Sequence, residues 1–335
     1  MANGLMVFIE QFEGKIANVS LELISKGREL ADQLGVSLEA AAVGYEMEEE
    51  LKLLGHYGCD KVYYIDNEEL EFFLSLPYAD AVSHIIKKYA PQIVLFGATT
   101  TGRDIAPRIA SELRCGLTAD CTDLQIGEFT LKGETYKDKL LQIRPAFGGN
   151  IIATIVSPDS MPSMATVRSG VMKMVNPDKN KKVEIVEEAY TPKDDLFLSE
   201  ILEVIKIEKS VDLTSARIIV SAGMGAANPD SIKLVAELAS VLGGVVGASR
   251  PVVDSGLLKK EHQVGQTGTT VRPNLYIACG ISGQIQHRAG MNESKRIIAI
   301  NNDPEAPIFN IAHYGIVGDI NDILTKMIAA YKNKV

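Results

Sequence analysis

The sequence predicts an α/β protein of two domains, each with a mainly parallel Rossmann-like sheet flanked by helices, the first carrying an antiparallel strand extension. Three observations carry this. Short β-rich runs alternate with helical patterns over residues 1–114, and the same rhythm resumes after about residue 205. Between them lies a stretch of consecutive strands without helices. A chain of 335 residues also exceeds one ordinary core and fits two domains, 1–205 and 206–335.

In the first domain the predicted strands are 5–9, 38–43, 61–65 and 92–97, with helices near 18–34, 47–56, 77–89 and 103–113. Pro77 and Asp80 open one helix and Gly35 closes another. Strands at 140–144, 150–156, 164–167 and 182–186 follow, separated by Gly148-Gly149, Pro158 and Asn176-Pro177. Consecutive strands of this kind predict the antiparallel extension. The polar run Thr191-Pro192-Lys193-Asp194-Asp195 reads as an interdomain crossing.

Beyond it, strands are predicted at 218–220, 245–246, 275–278, 297–300 and 316–317. A helix over 230–242 ends at Gly243-Gly244, and a final helix covers 319–332.

Composition narrows the function. A net charge of −9 argues against nucleic acid as a partner, since phosphate contacts need clustered cations. Lys179, Lys181 and Lys182 read as a solvated turn. Cys59, Cys115, Cys121 and Cys279 have no metal-ligand spacing, and four cysteines in a chain this long do not make a disulfide framework. The N-terminus lacks a basic n-region, and its apolar run is too short to span a bilayer, so a cytoplasmic protein without membrane insertion is expected.

Open parallel sheets bind ligands beyond the carboxyl ends of their strands. In the second domain those ends carry small or polar residues throughout: Ser221 to Gly225, Gly247 to Arg250, Gly280 to Gly283, Asn301 to Asp303, and Gly318-Asp319. Glycines permit close backbone approach, and exposed N–H groups after them favour a pyrophosphate. Gly223-x-Gly225 alone is weak, because Asn228 stands where a dinucleotide fingerprint has its third glycine. Gly265-Gln266-Thr267-Gly268 reads as a polar surface turn or as a loop that hydrogen-bonds a planar ring. Arg250, directly before Pro251, is not expected to be helical; it is a surface partner of Asp254 or a cation beside a ligand. His287 has no companion histidine or cysteine nearby. It is either a packed, hydrogen-bonded histidine or a donor to an anionic ring, aided by a helix start. No Gly-x-Ser-x-Gly elbow is present, so no hydrolytic triad assembles.

Residues 275–291, Leu-Tyr-Ile-Ala-Cys-Gly-Ile-Ser-Gly-Gln-Ile-Gln-His-Arg-Ala-Gly-Met, followed by Ile298-Ala299-Ile300-Asn301, resemble the signature of the electron-transfer flavoprotein α subunit family. Val246 to Arg250, Val264 to Gly268, Asp303 to Phe309 and Tyr314 to Val317 match further family motifs in order and spacing. Arg144-Pro145 with Gly149-Asn150 is similar in the first domain. Gln284 replaces the family's usual small residue, and Met224 stands where many relatives have an arginine.

The resemblance implies one FAD, held in extended form on the second domain. It places Ser282, Gly283 and Gln286 along the pyrophosphate and ribityl chain, and Asn301 and Asp319 toward the adenosine end. His287 would donate to the flavin C2 carbonyl, Thr267 would reach N5 and O4, and Arg250 would lie against the isoalloxazine. Ser249, Gln263, Gln266, Gly268 and Gln284 complete the implied cofactor set. A cation and a helix start near the pyrimidine end would stabilise negative charge there. The family's β subunit is the implied partner, carrying AMP or a second FAD, with the first domain covering part of that second site and Arg144 contributing. Redox partners would be an acyl-CoA dehydrogenase or other flavin, quinone or ferredoxin proteins. Val167-Arg168-Ser169-Gly170-Val171-Met172 favours the group that accepts electrons from NADH and bifurcates them. The alternatives are an NAD(P)-dependent oxidoreductase or deacylase, or a nucleotide-binding scaffold without redox work.

Overall fold

The computed structural model describes residues 4–146, 151–205, 211–214 and 216–332. The chain divides into Met1–Val204 and Ile205–Val335. The Gly148-Gly149 turn and Asn150 lie outside the described residues.

Seven strands of the first unit form one parallel sheet. In chain order these are β1 (Leu5–Ile9), β2 (Leu38–Gly44), β3 (Lys61–Asp66), β4 (Ile93–Gly97) and β5 (Leu117–Cys121), with β9 (Ser163–Val167) and β10 (Glu184–Glu187) following later. Across the sheet the order is β10-β3-β2-β1-β4-β9-β5. Every residue of β1, β4 and β9 is buried, as strands covered on both faces must be. Helix α1 (Asn18–Leu34) packs Leu23, Ile24 and Leu30 onto one face and stops at Gly35, where φ is 65°. On the other face lie α2 (Ser75–Tyr89) and α3 (Thr100–Leu113). The Thr99 hydroxyl accepts from the Gly102 N–H at 3.0 Å, which fixes where α3 begins. The stretch 47–56 forms two single turns, Glu48–Leu51 and Leu53–His56, in place of one helix.

The antiparallel extension is a separate three-stranded sheet: β6 (Asp123–Leu131), β7 (Glu134–Ala146) and β8 (Ile151–Ile155), in the order β8-β7-β6. Lys132 and Gly133, with φ of 51° and 88°, form the two-residue turn between β6 and β7. Residues 164–167 and 182–186 do not belong to this extension, as their place in the sequence suggested. They enter the main sheet in parallel, as β9 between β4 and β5 and as β10 beside β3. The chain reaches β9 through the antiparallel extension and β10 through residues 168–183, which form neither helix nor strand, so the crossover signal of a long helix is absent.

The second unit is a five-stranded parallel sheet: β11 (Ile218–Ala222), β12 (Val245–Ala248), β13 (Leu275–Cys279), β14 (Ile297–Asn301) and β15 (Tyr314–Val317). Its order is β12-β11-β13-β14-β15. Alternation sorts the side chains. Val220, Ala222, Ile277, Cys279 and Ile300 pack under α4 (Pro229–Val241) and α5 (Ile320–Lys332). Ile219, Tyr276, Ala278, Ile297 and Ala299 face the opposite way, where Val264, Val271, Ile281, Met291 and Ile308 cover them. That second cover consists mainly of irregular segments and single helical turns.

Candidate functional site

The chain leaves β11 first toward β12 and then crosses to β13 on the other side, so the switch point of the second sheet lies between β11 and β13. A cavity of about 570 Å3 opens there, walled by the segments that follow β11, β12, β13 and β14. Its size is that of a ligand pocket, and its place is the one that open α/β sheets use.

Two loops meet at its floor. The Gly223 N–H donates to the Cys279 carbonyl at 2.8 Å, and the Gly225 N–H donates to the Gly280 carbonyl at 3.0 Å. A Cβ on Gly223 would collide with the Gly280 backbone. Gly280 itself has φ of 64°, and a Cβ there would sit 2.6 Å from Ile320 Cδ1 and 2.8 Å from the Ala226 nitrogen. These glycines are required for the loops to touch.

After β12, Ser249 is buried at the N-cap position of the short helix Arg250–Asp254, without a side-chain capping bond. Arg250 is therefore helical, contrary to the expectation for a residue before proline. It occupies the first turn, where a following proline needs no N–H partner. Its Nε lies 3.3 Å from Asp254 Oδ2 on an exposed face, and its side chain borders the cavity.

The 263–268 segment forms a side wall. Gln263 Nε2 donates to Thr267 Oγ1 at 2.9 Å, and the Gln266 N–H donates to the Gln286 carbonyl at 2.7 Å. Gln263, Gln266 and Thr267 line the cavity, whereas Gly268 packs against the Gln263 backbone. After β13, Ser282, Gln284 and Gln286 are exposed on the cavity side, alternating with buried Ile281, Gly283 and His287. Gly283, with φ of 88°, lies against the Ile308 backbone and does not line the cavity. The 285–288 helix is a single turn, too short for a developed dipole.

At the end of β14, Asn301 is buried and spends its side chain on the loops. Its Nδ2 donates to the Ile281 carbonyl at 3.1 Å, and its Oδ1 accepts from the Asp303 N–H at 3.0 Å. It also borders the cavity, with Asn302, Asp303, Ala306 and Pro307. Asp319 does not. Its Oδ1 accepts from the Asp322 N–H at 3.0 Å, at the start of α5.

His287 is the buried titratable group of the site. Its Nε2 lies 3.0 Å from the Tyr276 hydroxyl, and Nδ1 is buried without a well-aligned hydrogen-bond partner. Burial lowers its pKa to about 4, against a smaller opposite effect of the Val264 backbone. The imidazole is therefore neutral at neutral pH and is not a cation in the ligand-free protein. Burial pushes the Tyr276 phenol up, so it too stays neutral. Arg250 and Asp303 are the only charged side chains bordering the cavity among the described residues. His287 contacts no serine or cysteine nucleophile in its hydrogen bonding, and no group of three or more His, Cys, Asp or Glu is placed to hold a metal among the described residues. Ser221 enters the sequence reading only as the first of the small residues at its strand end, and Tyr276 only within the quoted 275–291 stretch; neither is given a role there, because both look like ordinary strand residues.

A mainly apolar, nearly uncharged cavity at a switch point, floored by glycine loops, edged by uncharged polar side chains and bordered by one unsatisfied buried imidazole nitrogen, is what a nucleotide-cofactor-binding α/β protein presents. The residues present fit a large planar ring carrying acceptor groups and a polar tail. Residues 5–193 match the electron transfer flavoprotein domain, and residues 212–292 match the electron transfer flavoprotein FAD-binding domain. The chain belongs to the electron-transfer flavoprotein α subunit family. It is 48% identical to an electron transfer flavoprotein subunit alpha of Thermoanaerobacterium thermosaccharolyticum, covering 98% of this chain and 97% of that one. It is 44% identical to the acryloyl-CoA reductase electron transfer subunit beta of Anaerotignum propionicum, over 98% of this chain and 95% of the relative. It is 43% identical to the lactate dehydrogenase (NAD(+),ferredoxin) subunit LctC of Acetobacterium woodii, over 97% of this chain and 76% of that protein. No helix among the described residues is long and apolar enough to cross a membrane.

Proposed function

We propose that this chain is the FAD-binding subunit of a heterodimeric electron carrier, working with a β subunit of the same family and moving electrons from a dehydrogenase to a second redox protein. The observation that carries this reading is the cavity at the β11/β13 switch point, most of whose lining lies within the stretch matched by the FAD-binding domain, with His287 Nδ1 buried and unsatisfied beside it.

When bound, the flavin supplies both one- and two-electron chemistry. The chain's own residues bind and tune it. Ser282, Gln284 and Gln286 offer uncharged hydrogen-bonding groups along the cavity edge, suited to a polar chain and its phosphates. Thr267, held by Gln263, presents a hydroxyl to the ring's polar edge. Arg250 lies at the rim, where a positive charge favours electron uptake. Neutral His287 donates without adding charge. Asn301 fixes the loop that shapes the adenosine end, with Asp319 beyond it.

Purification of this chain together with its partner subunit tests the reading. A yellow heterodimer with FAD that can be reduced in resolved one-electron steps is expected. A complex that stays colourless after incubation with FAD would overturn it.

A second reading is that the complex takes electrons from NADH and divides them between two acceptors, one of them ferredoxin. The similarity to a relative named for NAD(+) and ferredoxin favours it. Two FAD per heterodimer would support this form; one FAD and one AMP would support a simple carrier.

A further inference from the structure

The face of the second sheet that carries the cavity walls has a polar line through its core. Ile219 pairs with Tyr276 and Ser221 with Ala278 in the β11/β13 register, so Ser221 lies one step along the same face as Tyr276. Both are fully buried, and His287 is almost so. Tyr276 Oη and His287 Nε2 are 3.0 Å apart, with the rings tilted at 58°. The Ser221 hydroxyl is buried without a hydrogen-bond partner, and the contact with Nε2 is the hydrogen bond that the Tyr276 hydroxyl makes among the described residues.

The direction of the protons follows from what each group can do. A buried phenol whose hydrogen-bond partner is Nε2 must donate to it, because accepting from an Nε2–H would leave its own proton without an acceptor. A backbone carbonyl can only accept, and the Val264 backbone favours a proton on the imidazole. Since Nε2 is taken by the phenol, that proton belongs on Nδ1. Buried polar groups left unpaired are costly, and this arrangement uses the Tyr276 and Nε2 valences while leaving an Nδ1–H as the one donor in search of a better acceptor.

We infer that Tyr276 is a positioning residue for His287: it donates to Nε2, fixes the neutral Nδ1–H tautomer, and so makes His287 an uncharged, single-donor group toward the flavin. The inference rests on the proposed flavin role for its consequence, but its core concerns a proton on a ring and is measurable without any cofactor. Tautomer control of this kind, in which the hydrogen bond on one ring nitrogen decides the state of the other, is a general property of imidazole.

The test uses the full chain with isotope-labelled histidine, ligand-free, then the FAD-loaded heterodimer. His287 is assigned among the five histidines by loss of its signals in His287→Gln. Nitrogen shifts in the wild type should report a protonated Nδ1 and an acceptor Nε2. In Tyr276→Phe, which keeps the ring and removes only the hydroxyl, the two nitrogens should approach a mixed population. A wild-type Nε2–H, or an unchanged pattern in Tyr276→Phe, would overturn the inference.

In the loaded heterodimer, Tyr276→Phe should weaken FAD retention by roughly two- to tenfold. It should have no further effect in a Tyr276→Phe/His287→Gln double variant, because it acts through the histidine. Additive losses would instead mean a purely structural role and would also overturn it. A chain that never takes up FAD while its tautomer is as stated would remove the flavin reading and leave the proton assignment intact.

Discussion

Asn301 Nδ2 donates to the Ile281 carbonyl at 3.1 Å, tying the end of β14 to the loop that follows β13. Neither residue is near the other in sequence, yet the contact fixes the floor of the cavity. Asn301→Ala leaves a buried carbonyl and the Asp303 N–H without their partner, and should lower stability by about 1–3 kcal/mol. Urea unfolding of the two proteins measures this. The variant should also retain FAD less well, because the loop that carries Ser282 loses its anchor.

Gly280→Ala asks more of the fold. A left-handed φ of 64° and a Cβ against Ile320 and Ala226 together should cost on the order of 2 kcal/mol or more. The thermal midpoint should fall, and the gap between the β11 and β13 loops should widen. A variant as stable as the parent would show that these loops do not need their close approach.

The neutral state of His287 makes stability depend on pH. Its folded pKa, about 4, lies below the ordinary value of 6.5. As pH falls through this window the unfolded chain takes up the proton first, so stability is full above about 6.5 and declines toward 4. The loss should reach about 3 kcal/mol across the window. His287→Gln should flatten the profile by about that amount, which denaturant midpoints read at a series of pH values in ligand-free protein will check.

Arg250 separates a surface role from a functional one. Its ion pair with Asp254 is exposed, so Arg250→Ala should change stability by less than about 1 kcal/mol. If the cation serves the flavin, the same change should make bound FAD harder to reduce, by on the order of 1 kcal/mol for a charge still open to water. Potentiometry against the parent decides; an unchanged potential would reduce Arg250 to its ion pair.

Much of the architecture could be read from residue order. Strands such as Leu5–Ile9 are continuous apolar runs, which only a sheet covered on both sides makes soluble. Less could be read where partners are distant in the chain. Residues 163–167 look like one more strand after a hairpin, and only the tertiary register shows them paired with Ile93–Gly97. Asp123–Leu131 was not foreseen, because its half-exposed, mixed composition resembles a loop. At the site, the small and polar residues at strand ends mark the loops that form the cavity, but some of them serve the fold: Gly223 and Gly280 let two loops touch, and Asp319 accepts from the Asp322 N–H. The charge state of His287 could not be read, because it is set by burial, and burial depends on segments brought together from elsewhere in the chain, Tyr276 among them. Tyr276 stayed hidden for the opposite reason: an aromatic in a strand is what a core ordinarily contains.

The segments that cover one face of the second sheet are the same ones that wall the cavity. Val264, Ile281 and Ile308 are core residues whose immediate neighbours in the chain would touch the ligand. Occupancy and folding are therefore coupled by mass action, and FAD at a hundredfold excess over its dissociation constant adds about 2.7 kcal/mol. In a cell short of riboflavin, the empty subunit opens these segments more often and becomes the better substrate for proteases. Vitamin supply would set how much carrier persists, before any change in the rate at which it is made.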